Sequence, residues 1–487
     1  MDQTVFAMIF VIIFCGAMIL IGLYYNKKKA AKNSDDYILA GREAPLIIVV
    51  GSYFATSVST GSLVGYAGMG FSQGISGYWN AAAFMIATMW IGLWIIPRLR
   101  RAGVITIPEL FEKYFGAPHR VTAVLLAMCR DLGVISGIVL VLGQIFQTLF
   151  GMSFWPSVLL TAAIVLIFTI TGGMWAVLVT DTIQAVLICV GTLIMVPFGI
   201  ARLGGGEAFV SQVPANLADP LGVGIKQALG WFFIGLFTSL ANQTILQRGL
   251  AAKDDKTAQR AFFWGGLVTL VWFLIPFVIG IIAKVSFPGE KSSNAYYSMA
   301  QLFGPIGNVF FLSILLMAGM STVSSNLLTS CSNLSLDIYK RFFAPDVTEK
   351  RLLSVQRILL VILIAVCIFV SKSFPYAVEL FTTGGRILAA GLAPVLTSLI
   401  LWKRSRRAPF ACLAAMVGGA VSCVGAQLYQ AAHAAGSAAQ GAVVLLWTLD
   451  PILAGLPICL IILIAGVWLE TSRQTPEYLA KHAVRQN

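Results

Sequence analysis

The sequence predicts an all-α polytopic membrane protein, and three observations carry that prediction: composition, the length of the apolar runs and the spacing of the basic clusters. Of 487 residues, 58% are hydrophobic and only 11% charged, with a mean hydropathy of +0.86. A soluble domain cannot hide that much apolar surface, so lipid is the expected solvent. The net charge of +13 does not point to nucleic acid, because Lys and Arg fall in short clusters between apolar spans instead of on one basic surface. The eight cysteines show neither CxxC nor His-spaced pairing and read as small packing residues. His119, His433 and His482 read as isolated in loops or the tail, so a histidine metal site is not expected.

Apolar runs long enough to cross about 30 Å of hydrocarbon lie at 5–25, 45–70, 77–97, 121–150, 155–171, 176–201, 224–246, 260–283, 306–335, 353–371, 376–402, 408–428 and 449–469. They give thirteen expected transmembrane helices. Lys27-Lys28-Lys29 follows the first run, the reverse of a signal peptide's charge order, so that run reads as a retained span. Basic clusters recur at every second connection: Lys27 to Lys32, Arg98 to Arg101, Arg248 to Arg260, Lys340 to Arg351 and Lys403 to Arg407. By the positive-inside rule those connections are expected to be cytoplasmic, with the N-terminus outside, the tail from Glu470 inside and the chain in a plasma membrane, most simply a bacterial inner membrane. Three regions follow: 1–44, a peripheral helix and basic loop; 45–402, the core; and 403–487, two peripheral helices and a tail.

Two spans break the ordinary pattern. The second contains Ala55-Thr56-Ser57-Val58-Ser59-Thr60-Gly61-Ser62, and the seventh contains Gly230, Gly235 and then Ala241-Asn242-Gln243. Glycines and small polar residues weaken a helix at membrane depth, where irregular backbone is tolerated only inside protein or along a cavity. The two weak points sit five helices apart. That spacing fits a five-plus-five inverted repeat whose first helices are interrupted, an architecture in which unwound carbonyls coordinate an ion.

The ninth span carries Met320-Ser321-Thr322-Val323-Ser324-Ser325, and another apolar run holds a lone acid, Asp181. Polar groups are costly in a bilayer and commonly mark a pathway or a site. On a helix, Ala318, Ser321 and Thr322 share one face, and Ser321, Ser324 and Ser325 an adjacent one. Hydroxyls and a carboxylate are hard ligands, suited to an alkali or alkaline-earth cation. The competing reading is that the hydroxyls bond back to carbonyls four residues earlier, or let helices approach closely.

Three stretches together resemble the sodium:solute symporter family, which includes proline, pantothenate, sugar and sialic-acid carriers. Thr171-Gly172-Gly173-Met174-Trp175-Ala176-Val177-Leu178-Val179-Thr180-Asp181-Thr182-Ile183-Gln184 is similar to its GG-x-x-A-V-x-x-TD-x-x-Q signature. Asn242 to Lys253 resembles the exit from its interrupted sixth core helix, and Met320 to Lys340 its eighth core helix and following loop. The resemblance implies a LeuT-like core and two cation sites. The first would use the carbonyls of Ala55, Val58 and Ala318 with the hydroxyls of Ser321 and Thr322. The second, present in some members, would use Asp181, Ser321, Ser324 and Ser325, with Asp181 the one formal charge in either shell. Asp181 could instead lie in an ion-exit path or cap a helix.

The expected cargo is therefore one or two sodium ions with a small solute, carried by alternating access. Each charge entering down about 100 mV gains roughly 2.3 kcal/mol, and a tenfold gradient adds about 1.4 kcal/mol. Two ions would concentrate a neutral solute about 10⁵-fold; one would reach only several hundredfold. Arg130, beside Asp131, and Arg386, after Gly384-Gly385, are costly in apolar spans and are candidate solute contacts. Arg130 resembles the arginine that holds the carboxylate in the sialic-acid carriers, and a planar fork of donors suits that group. Its alternative partner is Asp131, and the alternative for Arg386 is a packing salt bridge to Glu379. Ser57, Ser59, Ser62 and Asn80 complete the expected solute site. A carboxylate-bearing solute such as a sialic acid, organic acid or amino acid is favoured, with a neutral sugar or polyol, or a membrane solute sensor, as alternatives. Gly70-Phe71-Ser72-Gln73-Gly74 matches G-x-S-x-G, but it follows a membrane span and lacks a histidine partner, so no enzyme is expected. Membrane lipid is an expected partner; nucleic acid and an obligate protein partner are not.

Overall fold

The computed structural model describes residues 3–28, 33–373, 377–433 and 450–474. Among them the regular structure is helical: α1 Gln3–Lys28, α2 Leu46–Ser57, α3 Thr60–Gln73, α4 Tyr78–Trp94, α5 Ile107–Phe115, α6 Ala117–Phe150, α7 Phe154–Arg202, α8 Ile225–Leu240, α9 Gln243–Ala251, α10 Asp255–Trp272, α11 Leu274–Ser286, α12 Gly304–Ser332, α13 Glu349–Ser373, α14 Ala377–Gly391, α15 Ala393–Leu401, α16 Pro409–His433 and α17 Ile452–Ser472. Short turns and helices join them. A wide π-helical stretch, Asn333–Phe343, continues α12.

Both expected interruptions are present. α2 ends at Ser57, Val58 leaves the helical region (φ −92°, ψ 78°), and Ser59 caps α3 by accepting from Ser62 N at 3.1 Å. α8 ends at Leu240, Asn242 caps α9, and the pair bends by 53°. Each break is stabilised by a side-chain oxygen that takes up an amide freed at the new helix start. Ala44 N donates to Ala251 O at 3.0 Å and Lys253 N to Ala44 O at 3.1 Å. The chain entering α2 and the chain leaving α9 therefore meet at one face, as an inverted pair requires.

That face collects the basic clusters. Arg100 and Arg101 reach Asp255 at 2.9 and 3.3 Å, Arg341 reaches Glu112 at 2.7 Å, and Arg406 lies over the Tyr114 ring. Arg248 is the exception to the sequence expectation. It is 1% exposed, within the protein instead of among the surface charges.

Ten helices in the described residues are long and apolar enough to cross a membrane, and the bent α8–α9 pair makes an eleventh. The expected number of thirteen is not reached by this measure, because Leu46–Ser57 is cut short by the break and Phe154–Ile170 by a bend. The bend is at Gly173, whose φ of 55° suits glycine. A Cβ there would sit 2.9 Å from the Tyr37 ring. Outward faces of α1, α7 and α13 display Ile12, Leu20, Val186, Val190 and Phe369, which an aqueous protein would bury and lipid solvates. α12 lies at the centre against α2, α3, α6 and α7, and every residue from Phe311 to Ser332 is buried. The hydroxyl run is thus inside protein, not in lipid.

Candidate functional site

Of the first expected cation set, Ser321 and the Ala55 carbonyl meet where the break of α2 packs on α12, while Thr322 bonds back along its own helix to Ala318. Ser321 Oγ lies 3.2 Å from the Ala55 carbonyl and 3.0 Å from the Ala318 carbonyl, and Thr322 Oγ1 lies 3.0 Å from Ala318 O. Ala55, Val58, Ala318 and Ser321 are fully buried and Thr322 is 5% exposed. The break is pinned to the same helix by Thr60 Oγ1, which donates to Leu315 O at 2.6 Å. Carbonyl and hydroxyl oxygens from two segments 266 residues apart therefore converge. An all-oxygen, uncharged set of this kind accepts a hard cation. A hydroxyl that only bonded back along its own helix would not reach Ala55.

The second expected set contains a group the sequence reading missed. Arg248 Nη2 lies 3.0 Å from Asp181 Oδ2 and 2.6 Å from Ser325 Oγ, its Nε 2.9 Å from Ser52 Oγ, and its Nη1 2.7 Å from Thr244 O. Ser52 Oγ also donates to Asp181 Oδ2 at 2.7 Å. Asp181 is thus not the one formal charge here: a guanidinium neutralises it. Ser324 and Ser325 donate back to Ser321 O at 3.0 and 2.7 Å, so Asp181 meets Ser325 through Arg248. The signal was available in the sequence: Arg248 follows Ile245-Leu246 and precedes Leu250, an apolar neighbourhood for a supposed surface charge.

At the expected solute end, Arg130 Nη1 donates to Asp131 Oδ1 at 2.6 Å and to Asn326 Oδ1 at 2.7 Å. Its Nε and Nη2 make no hydrogen bond among the described residues. Asn326 also accepts from Thr244 Oγ1 at 3.0 Å and donates to Thr322 O at 2.7 Å. One amide therefore touches the arginine, the second broken helix and the cation-site helix, a link that sequence reasoning did not find. Gly384 allows α14 to press onto α6 here; a Cβ would lie 2.3 Å from Cys129 O.

The remaining expected contacts are dispersed. Ser57 Oγ donates to Tyr53 O at 2.9 Å, and Ser62 Oγ to Ser59 O at 2.9 Å, so these partly buried serines also satisfy the broken backbone. Asn80 is partly buried at the start of α4 and makes no side-chain hydrogen bond among the described residues. Arg386 reaches Asp450 Oδ2 at 2.7 and 3.1 Å, tying α14 to the entry of α17. Its partner is Asp450, 64 residues away; the side chain of Glu379 lies outside the described residues. Ser72, of the G-x-S-x-G match, donates to Gly68 O within α3 at 2.9 Å. His119 is buried against the Pro409 carbonyl, so neither forms part of a hydrolytic site.

The profile of the sodium:solute symporter family matches residues 37–419. The chain belongs to that family. It is 27% identical over 458 residues to a sodium/glucose cotransporter of Vibrio parahaemolyticus, spanning 83% of this chain and 81% of that one. It is 28% identical over 432 residues to an osmoregulated proline transporter of Bacillus subtilis (83% and 85%). In three dimensions it superposes on a substrate-bound, outward-open Na⁺-coupled sialic acid symporter with a TM-score of 0.81 at 18% identity, covering 96% and 97% of the two chains. It also matches MhsT bound to L-phenylalanine with a TM-score of 0.53 at 17% identity, covering 87% and 99%. The fold is the LeuT-like core, and the chain is a sodium-coupled solute transporter of the membrane, not an enzyme.

Proposed function

We propose that this protein imports a small carboxylate-bearing solute with sodium by alternating access. In this reading sodium binds between the Ala55, Val58 and Ala318 carbonyls and the Ser321 and Thr322 hydroxyls. The supporting observation is the Ser321-to-Ala55 contact, which joins the broken helix to the central one. An ion that prefers this closed arrangement shifts the population toward it, and a solute that prefers the same arrangement is thereby coupled to the ion.

A second sodium at Asp181, Ser321, Ser324 and Ser325 requires Arg248 to withdraw, since the guanidinium leaves that shell with no net negative charge and itself repels an entering cation. One ion is therefore the basic stoichiometry, and the second is conditional on that movement. The membrane is the plasma membrane, with the basic face cytoplasmic.

The carboxylate reading rests on Arg130. Asp131 and Asn326 hold one edge of its guanidinium and leave Nε and Nη2 as a fork, with Ser57, Ser59, Ser62 and Asn80 on the neighbouring broken helix and α4. Arg386, engaged by Asp450, acts as a tie between helices in this reading. A neutral sugar or polyol is the second reading, favoured by the relative named for glucose; the relative named for proline, an amino acid, accords with the carboxylate reading.

A thermal-shift panel of sialic acid, organic acids, proline, glucose and myo-inositol, run in sodium and again in potassium, separates the two. Stabilisation by a carboxylate in sodium alone, lost in Arg130→Ala and partly kept in Arg130→Lys, is the expected result. Sodium-dependent stabilisation by glucose or myo-inositol, unchanged in Arg130→Ala, overturns it.

A further inference from the structure

On the basic face several cations are answered by carboxylates. Arg100 and Arg101 share Asp255, Arg120 is paired with Glu112 and Asp337, Arg341 with Glu112, and Lys340 with Glu349 at 3.3 Å. One group differs. Lys403, Arg404 and Arg407 line a cavity of about 370 Å³ with Thr471 and Gln474, where the end of α15, the start of α16 and the end of α17 meet. Among the described residues none of these three cations forms a salt bridge. The adjacent acid, Glu470, is occupied by the Phe410 and Ala411 amides at 3.3 and 2.8 Å.

Arg404 is the fixed wall of the cavity. Its Nε donates to Thr471 Oγ1 at 2.6 Å and its guanidinium lies 3.8 Å from the Trp468 ring centroid. Lys403 and Arg407 are exposed and make no side-chain hydrogen bond there. Topological charges point to water, as Lys403 and Arg407 do, but here all three cations border one concavity whose wall is a fixed guanidinium. Immediately toward the apolar belt the surface is hydrocarbon: Phe410 is 78% exposed and Trp468 56%, with Leu401 and Leu469 also uncovered. The Thr471 hydroxyl donates to Val467 O at 2.6 Å and the Gln474 amide to Arg407 O, so the cations are the main attraction. A pocket of unneutralised cations continuous with exposed apolar and indole surface matches a ligand that is anionic at one end and aliphatic at the other.

We propose that Lys403, Arg404 and Arg407, with Thr471 and Gln474 holding Arg404 and the Arg407 backbone in place, bind the phosphate-bearing headgroup of an anionic phospholipid whose acyl chains lie along Trp468, Leu469 and Phe410. The site is remote from the cation and solute groups and does not depend on which solute is carried. It tethers α15, α16 and α17 at the face where their ends meet.

The test is a thermal-stability titration of the detergent-purified full chain with phosphatidylglycerol, phosphatidylcholine of the same acyl chains, and inorganic phosphate. Phosphatidylglycerol is expected to stabilise the protein, phosphatidylcholine and phosphate much less. Lys403→Gln with Arg407→Gln, both exposed and outside the packed interior, is expected to weaken the phosphatidylglycerol response about tenfold or more in apparent affinity. Arg101→Gln with Lys350→Gln removes the same charge elsewhere and should leave the response intact. An equal response in the Lys403/Arg407 variant, an equal loss in the Arg101/Lys350 control, or full stabilisation by phosphatidylcholine or by free phosphate each overturns the lipid site.

Discussion

Buried charge in this protein is arranged by pairing, and Arg248 shows its cost. Asp181 and Arg248 are 0% and 1% exposed at their side chains, so each depends on the other and on Ser52, Ser325 and the Thr244 carbonyl. Removing one member of such a pair leaves an uncompensated charge and costs about 3–5 kcal/mol, whereas replacing both costs much less. Arg248→Leu is therefore expected to lower the thermal midpoint strongly, and adding Asp181→Asn to recover most of the loss. Additive effects in that double-mutant cycle would mean the two groups do not act as a pair. Asn326 has a different part: its amide fixes the Arg130 edge through one acceptor shared with Thr244.

At the scale of elements, the two broken helices and α12 form the centre, and a polar lock closes the basic end beneath them. Thr106 donates to Asp337 at 2.8 Å, Arg120 holds Asp337 and Glu112 together, and Arg341 reaches Glu112. This joins α5 and α6 to the π-helical end of α12. Partial burial alone would raise Glu112, but hydrogen bonds and charge from Arg120 and Arg341 hold its carboxyl below the usual value. A depressed carboxyl stabilises the fold above its unfolded value of about 4.3 and loses that contribution as pH falls through the folded value. Glu112→Gln should therefore lower the melting temperature by a constant amount from neutral pH to about pH 5, the difference vanishing only in stronger acid. A difference that disappears near neutrality would place the lock's titration elsewhere. Gly384 tests the packing of α14 on α6: Gly384→Ala drives a methyl into the Cys129 carbonyl and should destabilise the protein by about 1–3 kcal/mol, read as a fall in thermal midpoint.

For the whole molecule, much of the plan was legible because lipid imposes simple rules. Apolar runs gave the helices, and small polar residues at Ala55–Ser62 and Ala241–Gln243 marked the two breaks, since only a cavity or protein interior tolerates loose backbone there. Ala318, Ser321 and Thr322 fall on one helical face by spacing, and the fold brings Ser321 to the Ala55 carbonyl. Pairings across distant segments were not legible. Arg248 with Asp181, Arg386 with Asp450, and Asn326 with Arg130 depend on how helices rotate against one another, which hydrophobic periodicity does not record. Counting every Lys and Arg near a span end as a surface charge concealed Arg248. The number of spans was also blurred, because a helix broken at membrane depth is no longer one apolar run.

The central claim is that the broken helix and the α12 hydroxyls together bind the driving ion. The most direct measurement is a sodium titration of thermal stability in the purified protein and its Thr322→Ala variant, with potassium as the balancing ion. The account predicts saturable stabilisation by sodium, with a midpoint raised at least about tenfold in Thr322→Ala, as loss of a ligating hydroxyl costs about 1.4 kcal/mol or more. An unchanged sodium midpoint in Thr322→Ala would contradict it.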